Sequence, residues 1–194
     1  FARYGLKPGT PVAVWSGDNP NSLVGTGAAE PGMAVVSLGT SDTFFAALNT
    51  FRTDPDGCGH VFGNPAGGCM SIACFKNGSL ARDRVRKEAG ATWQFFDDGA
   101  FAATPPGNDG RLALPWYEAE ITPSVKTIGL RANFDFAGAE PAVRIRAAVE
   151  GQLLSMRLRT KWIGDFKTIR LTGGASRSRG IRQTIADIFQ ARVE

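Results

Sequence analysis

The sequence predicts an α/β protein, and three observations predict it. Apolar runs of strand length at Met33–Leu38, Thr43–Leu48, Cys69–Phe75 and Thr168–Leu171 alternate with segments of helical character. The clearest helix, Glu140 to Gly164, repeats Val143, Ala147, Leu154, Leu158 and Trp162 at helical spacing. A glycine pair, Gly173-Gly174, then joins the last of those strands to a helix over Gly180–Ala191, a connection common in α/β proteins. With 194 residues and 43% hydrophobic composition, the chain can bury a substantial core and reads as one domain.

Taken in order, Phe1 to Pro11 reads as the end of a helix stopped near Gly5, and Val12–Trp15 as a buried strand. Asn19 to Gly32 is rich in Gly, Ala and Asn, with one or two helical turns around Leu23-Val24. Met33–Leu38 and Thr43–Leu48 bracket a turn and read as a β-hairpin. Asp54 to Gly68 is loop by composition, Cys69–Phe75 a strand, and Ser79 a candidate N-cap for a helix reaching about Ala89. A second helix is expected over Trp93 to Ala103 and a short strand over Leu112–Trp116, while Ile121 to Gly138 has no clear period. Glu140 and Pro141 start the long helix, where Ala147, Ala148 and Gly151 leave room for a close neighbour.

Two turns carry the chemistry. Asp18 follows the first apolar run and Gly39-Thr40-Ser41 follows the second. A general base must sit within hydrogen-bonding reach of the hydroxyl it deprotonates, and a short carboxylate held by a tight turn meets that need. Gly39 lets backbone approach an anion, and Thr40 and Ser41 can donate hydroxyl hydrogen bonds to phosphate oxygens. Gly-Asp-Asn-Pro and Gly-Thr-Ser-Asp are equally ordinary turn sequences. The Gly173-Gly174 turn before a helix would allow backbone contact with a nucleotide, although no P-loop pattern is present.

Composition argues against several other classes. The net charge of +4 comes from scattered residues. Arg144, Arg146, Arg157, Arg159 and Lys161 on one predicted helix, and Arg177, Arg179 and Arg182 near the next, read as solvated faces rather than a nucleic-acid footprint. No apolar run reaches membrane-spanning length and no leader pattern opens the chain. Cys58, Cys69 and Cys74 lack paired metal spacing and fit reduced thiols in a cytoplasmic protein. His60, the single histidine, makes a histidine-based metal site or a Ser-His-Asp triad unpromising.

The ordered blocks SGDNPNSLVGTG, VSLGTSDTFF, CFKNGSLARDRVR, RAAVEG and LTGGASRSRGIRQTIADIF resemble the C-terminal half of the FGGY carbohydrate kinases. GDNP, SLGTSDT and FKNGSL together are most similar to the branch that phosphorylates D-xylulose. The resemblance implies an actin-like ATPase (ribonuclease H-like) α/β domain, a mixed β-sheet flanked by helices, spanning residues 1–194. It implies a C-terminal nucleotide-binding domain, incomplete at its own C-terminal end. An N-terminal sugar-binding domain of the same protein would lie outside this chain, leaving the piece inactive alone.

By the same resemblance, Asp18 is the catalytic base and Asn19 a sugar contact. Gly39, Thr40 and Ser41 match the turn that holds ATP phosphates, and Gly173, Gly174 and Ala175 the adenosine loop, with Ser178 beside it. Trp93 falls where an aromatic side chain meets adenine, and Asn77 and Gly78 lie in a further nucleotide-side segment. ATP and Mg²⁺ are the implied cofactors and D-xylulose the implied substrate, with no nucleic acid, no membrane and room for a homodimer. The residues do not identify the metal ligands. A kinase for ribulose, glycerol or gluconate, or an actin-like nucleotide module without sugar chemistry, are the alternatives.

Overall fold

The computed structural model describes residues 2–12 and 16–194. Its strands are β1 (Met33–Leu38), β2 (Asp42–Leu48), β3 (His60–Gly63), β4 (Cys69–Phe75), β5 (Ala113–Trp116), β6 (Gly129–Ala132), β7 (Thr168–Thr172) and β8 (Arg192–Val193). The helices are α1 (Asp18–Gly25), α2 (Ser79–Glu88), α3 (Ala100–Ala102), α4 (Pro141–Arg159) and α5 (Arg179–Phe189).

Six strands form a mixed sheet in the order β3-β4-β2-β1-β7-β8. The β1–β2, β2–β4 and β3–β4 pairs are antiparallel, whereas β7 runs parallel to β1 and β8 parallel to β7. β5 and β6 form a separate antiparallel pair.

Both faces of the sheet are covered, which is why its central strands are nearly continuous apolar runs rather than alternating ones. On one face Ala34, Val36, Leu38, Phe44 and Ala46 pack with Ile145 and Val149 of α4 and Ile181 and Ile185 of α5. On the other, Leu23 of α1 and the following Ala28 pack with Val35, Phe45, Met70 and Ile72. α5 is the most plainly amphipathic element, burying Ile181, Ile185 and Phe189 at four-residue spacing behind an N-cap bond from Ile181 N to Ser178 Oγ.

The structure corrects several expectations. Ala13–Trp15, the body of the first expected strand, lies outside the described residues, and Val12 is exposed. The residues around Ala2–Tyr4 form only a short 3-10 turn. Asp18 opens a helix rather than a loop. Part of the expected Asp54–Gly68 loop is edge strand β3, whose side chains are mostly exposed and therefore carry no alternating pattern.

Gly78, not Ser79, occupies the N-cap of α2. The long helix ends at Arg159, and its buried stripe is Ala142, Ile145, Ala148, Val149, Leu153 and Met156. Leu154 and Leu158, expected in the core, are 39% and 57% exposed. The expected face was misread because Arg146 and Glu150 sit inside the true stripe. They are buried as an ion pair, Nη1 to Oε1 at 2.9 Å, so Arg146 is not part of a solvated face. Gly151 does admit a close neighbour, the backbone of Ala113 in β5. No helix of the described residues is long and apolar enough to cross a membrane.

Candidate functional site

The C-terminal end of β1 and the start of β2 meet the ends of β4 and β7. Leu38 pairs with Asp42, Asp42 with Phe75, and Ser37 with Thr172. The turns leaving these strands therefore share one edge of the sheet, where open α/β sheets place ligands.

A cavity of about 340 Å³ opens there. Gly39 and Thr40 line one side, Gly174 and Ala175 another, and Trp93, Phe96 and Asp97 a third, with Arg82 of α2 also in the wall. Five of the sequence-predicted residues, Gly39, Thr40, Trp93, Gly174 and Ala175, thus come together from three distant parts of the chain.

Local backbone geometry explains why the sequence is glycine-rich here. Gly173 has φ +86° and lies against the backbone of Leu38, so a side chain would separate the two strand-end turns. Gly174, by contrast, has open space where a Cβ would stand. Gly78 sits directly beneath the first turn, since a Cβ there would be 2.6 Å from Thr40 O and 2.7 Å from Gly39 O. The Ser79 amide donates to Gly39 O at 2.8 Å, tying the turn to α2.

The aromatic side is built on a helix that starts at Trp93 and passes through a π-helical turn, Phe95–Gly99, before α3. Such turns widen a helix and recur at functional sites. This one presents Trp93, Phe96 and Asp97 to the cavity. Trp93 is 47% exposed, meets Phe96 edge-on at 5.4 Å, and has the Arg86 guanidinium over its ring at 4.8 Å. Burial pushes the Asp97 carboxyl above the usual carboxylate range, and the neighbouring Asp98 charge adds to the shift.

The other predicted residues are placed differently. Ser41 Oγ donates to Lys76 O at 3.3 Å. Asn77 is buried with its amide fully engaged: Nδ2 donates to Glu118 O and to Glu120 Oε2, and Oδ1 accepts from Glu118 N. Ser178 is buried, donating to Asp97 O at 3.2 Å and capping α5. Ser41, Asn77 and Ser178 thus brace the cavity's surroundings, while Gly78 supports the Gly39-Thr40 turn.

Asp18 does not line the cavity. It lies exposed at the N-terminus of α1, on the opposite face of the sheet, and Asn19 N donates to its Oδ1 at 2.8 Å. Its charge helps, after burial, to raise the pKa of the Cys74 thiol. Because Cys74 pairs with Thr43, Asp18 stands near the same sheet edge as the Gly39 turn.

Sequence reasoning passed over Asp42, Arg82, Asp97 and Glu120. Asp42 read as a turn residue, and the available signal was a carboxylate placed directly after the phosphate-type turn and ahead of an apolar strand. Glu120 lay between the expected Leu112–Trp116 strand and the aperiodic Ile121–Gly138 stretch, yet its carboxylate accepts from Lys76 N at 2.5 Å, Asn77 N at 3.1 Å and Ile121 N at 2.8 Å. Among the described residues no group of three or more His, Cys, Asp or Glu side chains converges to hold a metal.

Residues 34–194 match the C-terminal domain of the FGGY family of carbohydrate kinases. The chain belongs to that family. It is 41% identical to a xylulose kinase of Rattus norvegicus over 98% of this chain and 37% of that protein. It is also 36% identical to xylulose kinase 2 of Arabidopsis thaliana, over 96% of this chain and 37% of that protein. The crystal structure of xylulose kinase from Bifidobacterium adolescentis superposes with a TM-score of 0.80 at 28% identity, over 92% of this chain and 36% of that one. The FGGY chain therefore spans little more than a third of these relatives' length, and its sheet and flanking helices are those of the actin-like ATPase fold.

Proposed function

We propose that this FGGY domain is the nucleotide-binding and base-bearing half of an ATP-dependent kinase that converts D-xylulose to D-xylulose 5-phosphate. The observation that carries the reading is the cavity between the Gly39-Thr40 turn and the Gly174-Ala175 loop, walled on its third side by Trp93. The apolar wall of Trp93, Phe96 and Ile181 suits a purine, and the backbone and hydroxyl donors of Gly39 and Thr40 suit phosphate oxygens. The likeness to xylulose kinases supports the choice of sugar.

In this mechanism the primary hydroxyl oxygen of the sugar attacks the γ-phosphorus, a new C–O–P linkage forms, and the bond to the bridging oxygen of ADP breaks. Asp18 accepts the hydroxyl proton. Its place near the sheet edge but outside the cavity suits a base that meets the sugar from the far side of the phosphate turn. Little covalent chemistry falls to the protein, so catalysis rests on positioning and charge. Magnesium, when bound, would neutralise the charge developing on the phosphate oxygens; the described residues offer no group of three or more His, Cys, Asp or Glu side chains to hold it.

The deciding experiment is steady-state phosphorylation by the full-length protein over D-xylulose, ribulose, glycerol and gluconate. D-xylulose should give the highest kcat/KM, and Asp18→Asn should lower kcat by at least about a hundredfold while nucleotide binding persists. Near-normal turnover by Asp18→Asn would remove Asp18 as the base. Nucleotide binding without turnover of any of the four sugars would favour an actin-like module lacking sugar chemistry.

A further inference from the structure

The Gly39–Asp42 bend is held at both ends by a single turn of α2. At its start, Gly39 O accepts from Ser79 N at 2.8 Å. At its end, Asp42 receives a bidentate fork from Arg82: Nη1 to Oδ2 at 2.6 Å and Nη2 to Oδ1 at 2.9 Å. Ser79 and Arg82 are three residues apart and so share one face of the helix. The Asp42 and Arg82 side chains are only 2% and 4% exposed.

A buried ion pair is a poor device for stability, because desolvating two charges costs about as much as their attraction returns, and apolar residues of similar volume would serve as well. What the fork does supply is register, since two parallel N–H···O bonds fix both distance and orientation. Arg82 is tied in turn to α4, where Gln152 Oε1 accepts from its Nη1 at 3.4 Å. Gln152 Nε2 donates to Asn77 O at 2.5 Å, beside the glycine that supports the bend. Arg82 is also part of the cavity wall.

We infer that Arg82, acting through Asp42, is a positioning residue that sets the donors of the Gly39–Ser41 bend for the phosphates of a nucleotide. This rests on the nucleotide-site reading above. The pair holds the bend in its binding geometry before the ligand arrives, so its loss weakens capture of phosphate rather than of sugar.

The test uses the full-length protein with Asp42→Leu/Arg82→Met, which removes both charges and leaves neither unpaired, and with Arg82→Lys, which keeps a charge but not the fork. Two readouts are taken: amide hydrogen exchange at residues 39–42, and KM for MgATP against KM for the sugar. The expected result is exchange in the bend faster by about tenfold or more with α4 protection unchanged. KM for MgATP should rise by at least about tenfold, while KM for the sugar stays within about twofold. Arg82→Lys should fall between wild type and the double variant, and stands in for it should the double variant not fold.

Unchanged exchange in the bend overturns the inference. So does a wild-type KM for MgATP in either folded variant. Failure of the wild-type protein to bind nucleotide, together with loosened exchange in the variants, would sink the kinase reading and leave the latch itself supported.

Discussion

Asp18 and Cys74 sit on different elements, a helix start and the penultimate residue of β4, yet the carboxylate lies close enough for its charge to hold the thiol proton on. Burial is the larger cause of the raised thiol pKa, and the Asp18 charge adds to it.

Neutralising Asp18 should therefore release some of that hold. In Asp18→Asn the Cys74 pKa should fall, and its alkylation by iodoacetamide near neutral pH should speed up by about two- to fivefold. Peptide mass spectrometry would compare Cys74 with Cys58 and Cys69 as internal references. An unchanged Cys74 rate would mean the carboxylate does not lie beside the thiol.

Gly78 should tolerate no side chain. A Cβ would meet Thr40 O at 2.6 Å, Gly39 O at 2.7 Å and Asp42 N at 2.9 Å, all backbone atoms that cannot rotate aside. Gly78→Ala should cost about 1–3 kcal/mol in stability and raise KM for MgATP through displacement of the bend. Thermal melts and nucleotide titrations measure the two effects, and a wild-type melting temperature would contradict the packing described here.

Glu120 should prove a structural anchor. Its carboxylate accepts from three backbone amides and from Asn77 Nδ2. Glu120→Ala would strand buried donors at about 1–3 kcal/mol for each uncompensated group, whereas Glu120→Gln, which keeps acceptor capacity on one oxygen, should cost less. Chemical denaturation of both variants gives the ranking, and equal losses would show that the charge rather than the bonds matters.

Asp97 should make stability fall as pH rises. Its carboxyl pKa is raised by burial in the folded protein, so the unfolded chain ionises first. Below the ordinary carboxylate pKa both states are protonated and the group is neutral to stability; the penalty appears as pH climbs from there through the folded-state pKa, and persists above it. Asp97→Asn should therefore match wild type at low pH and be the more stable of the two at neutral pH. Melting curves across that window check the crossing, and a difference that is constant with pH would contradict it.

Much of the fold was legible because its central elements obey simple patterns. Met33–Leu38 was read with its boundaries intact, since six nearly unbroken apolar residues covered on both faces admit little else. α5 was read nearly as closely, as Gly180–Ala191, because a glycine-pair turn sets it off from the preceding strand. The face of α4 was not legible: Arg146 and Glu150 look like surface residues until their pairing inside the core is known.

At the site, glycine signalled the Gly39 and Gly173-Gly174 turns, and at Gly173 the reason is close approach to the Leu38 backbone, which has few substitutes. Arg82 and Glu120 gave no such signal, and Asp42 only its place directly after the Gly39 turn. Their meaning depends on partners 40 residues away or more, such as Arg82 for Asp42, and no local pattern encodes that.

The parallel pairing of β1 with β7 has a consequence for how the molecule matures. The two loops facing each other across the cavity leave strands from opposite ends of the chain, and their register is set only when Ala34 meets Ile169 and Val36 meets Leu171. Closing so large a loop is slow relative to forming the β1–β2 hairpin. Competence to hold a ligand should thus be among the last properties acquired on refolding, lagging behind the recovery of secondary structure.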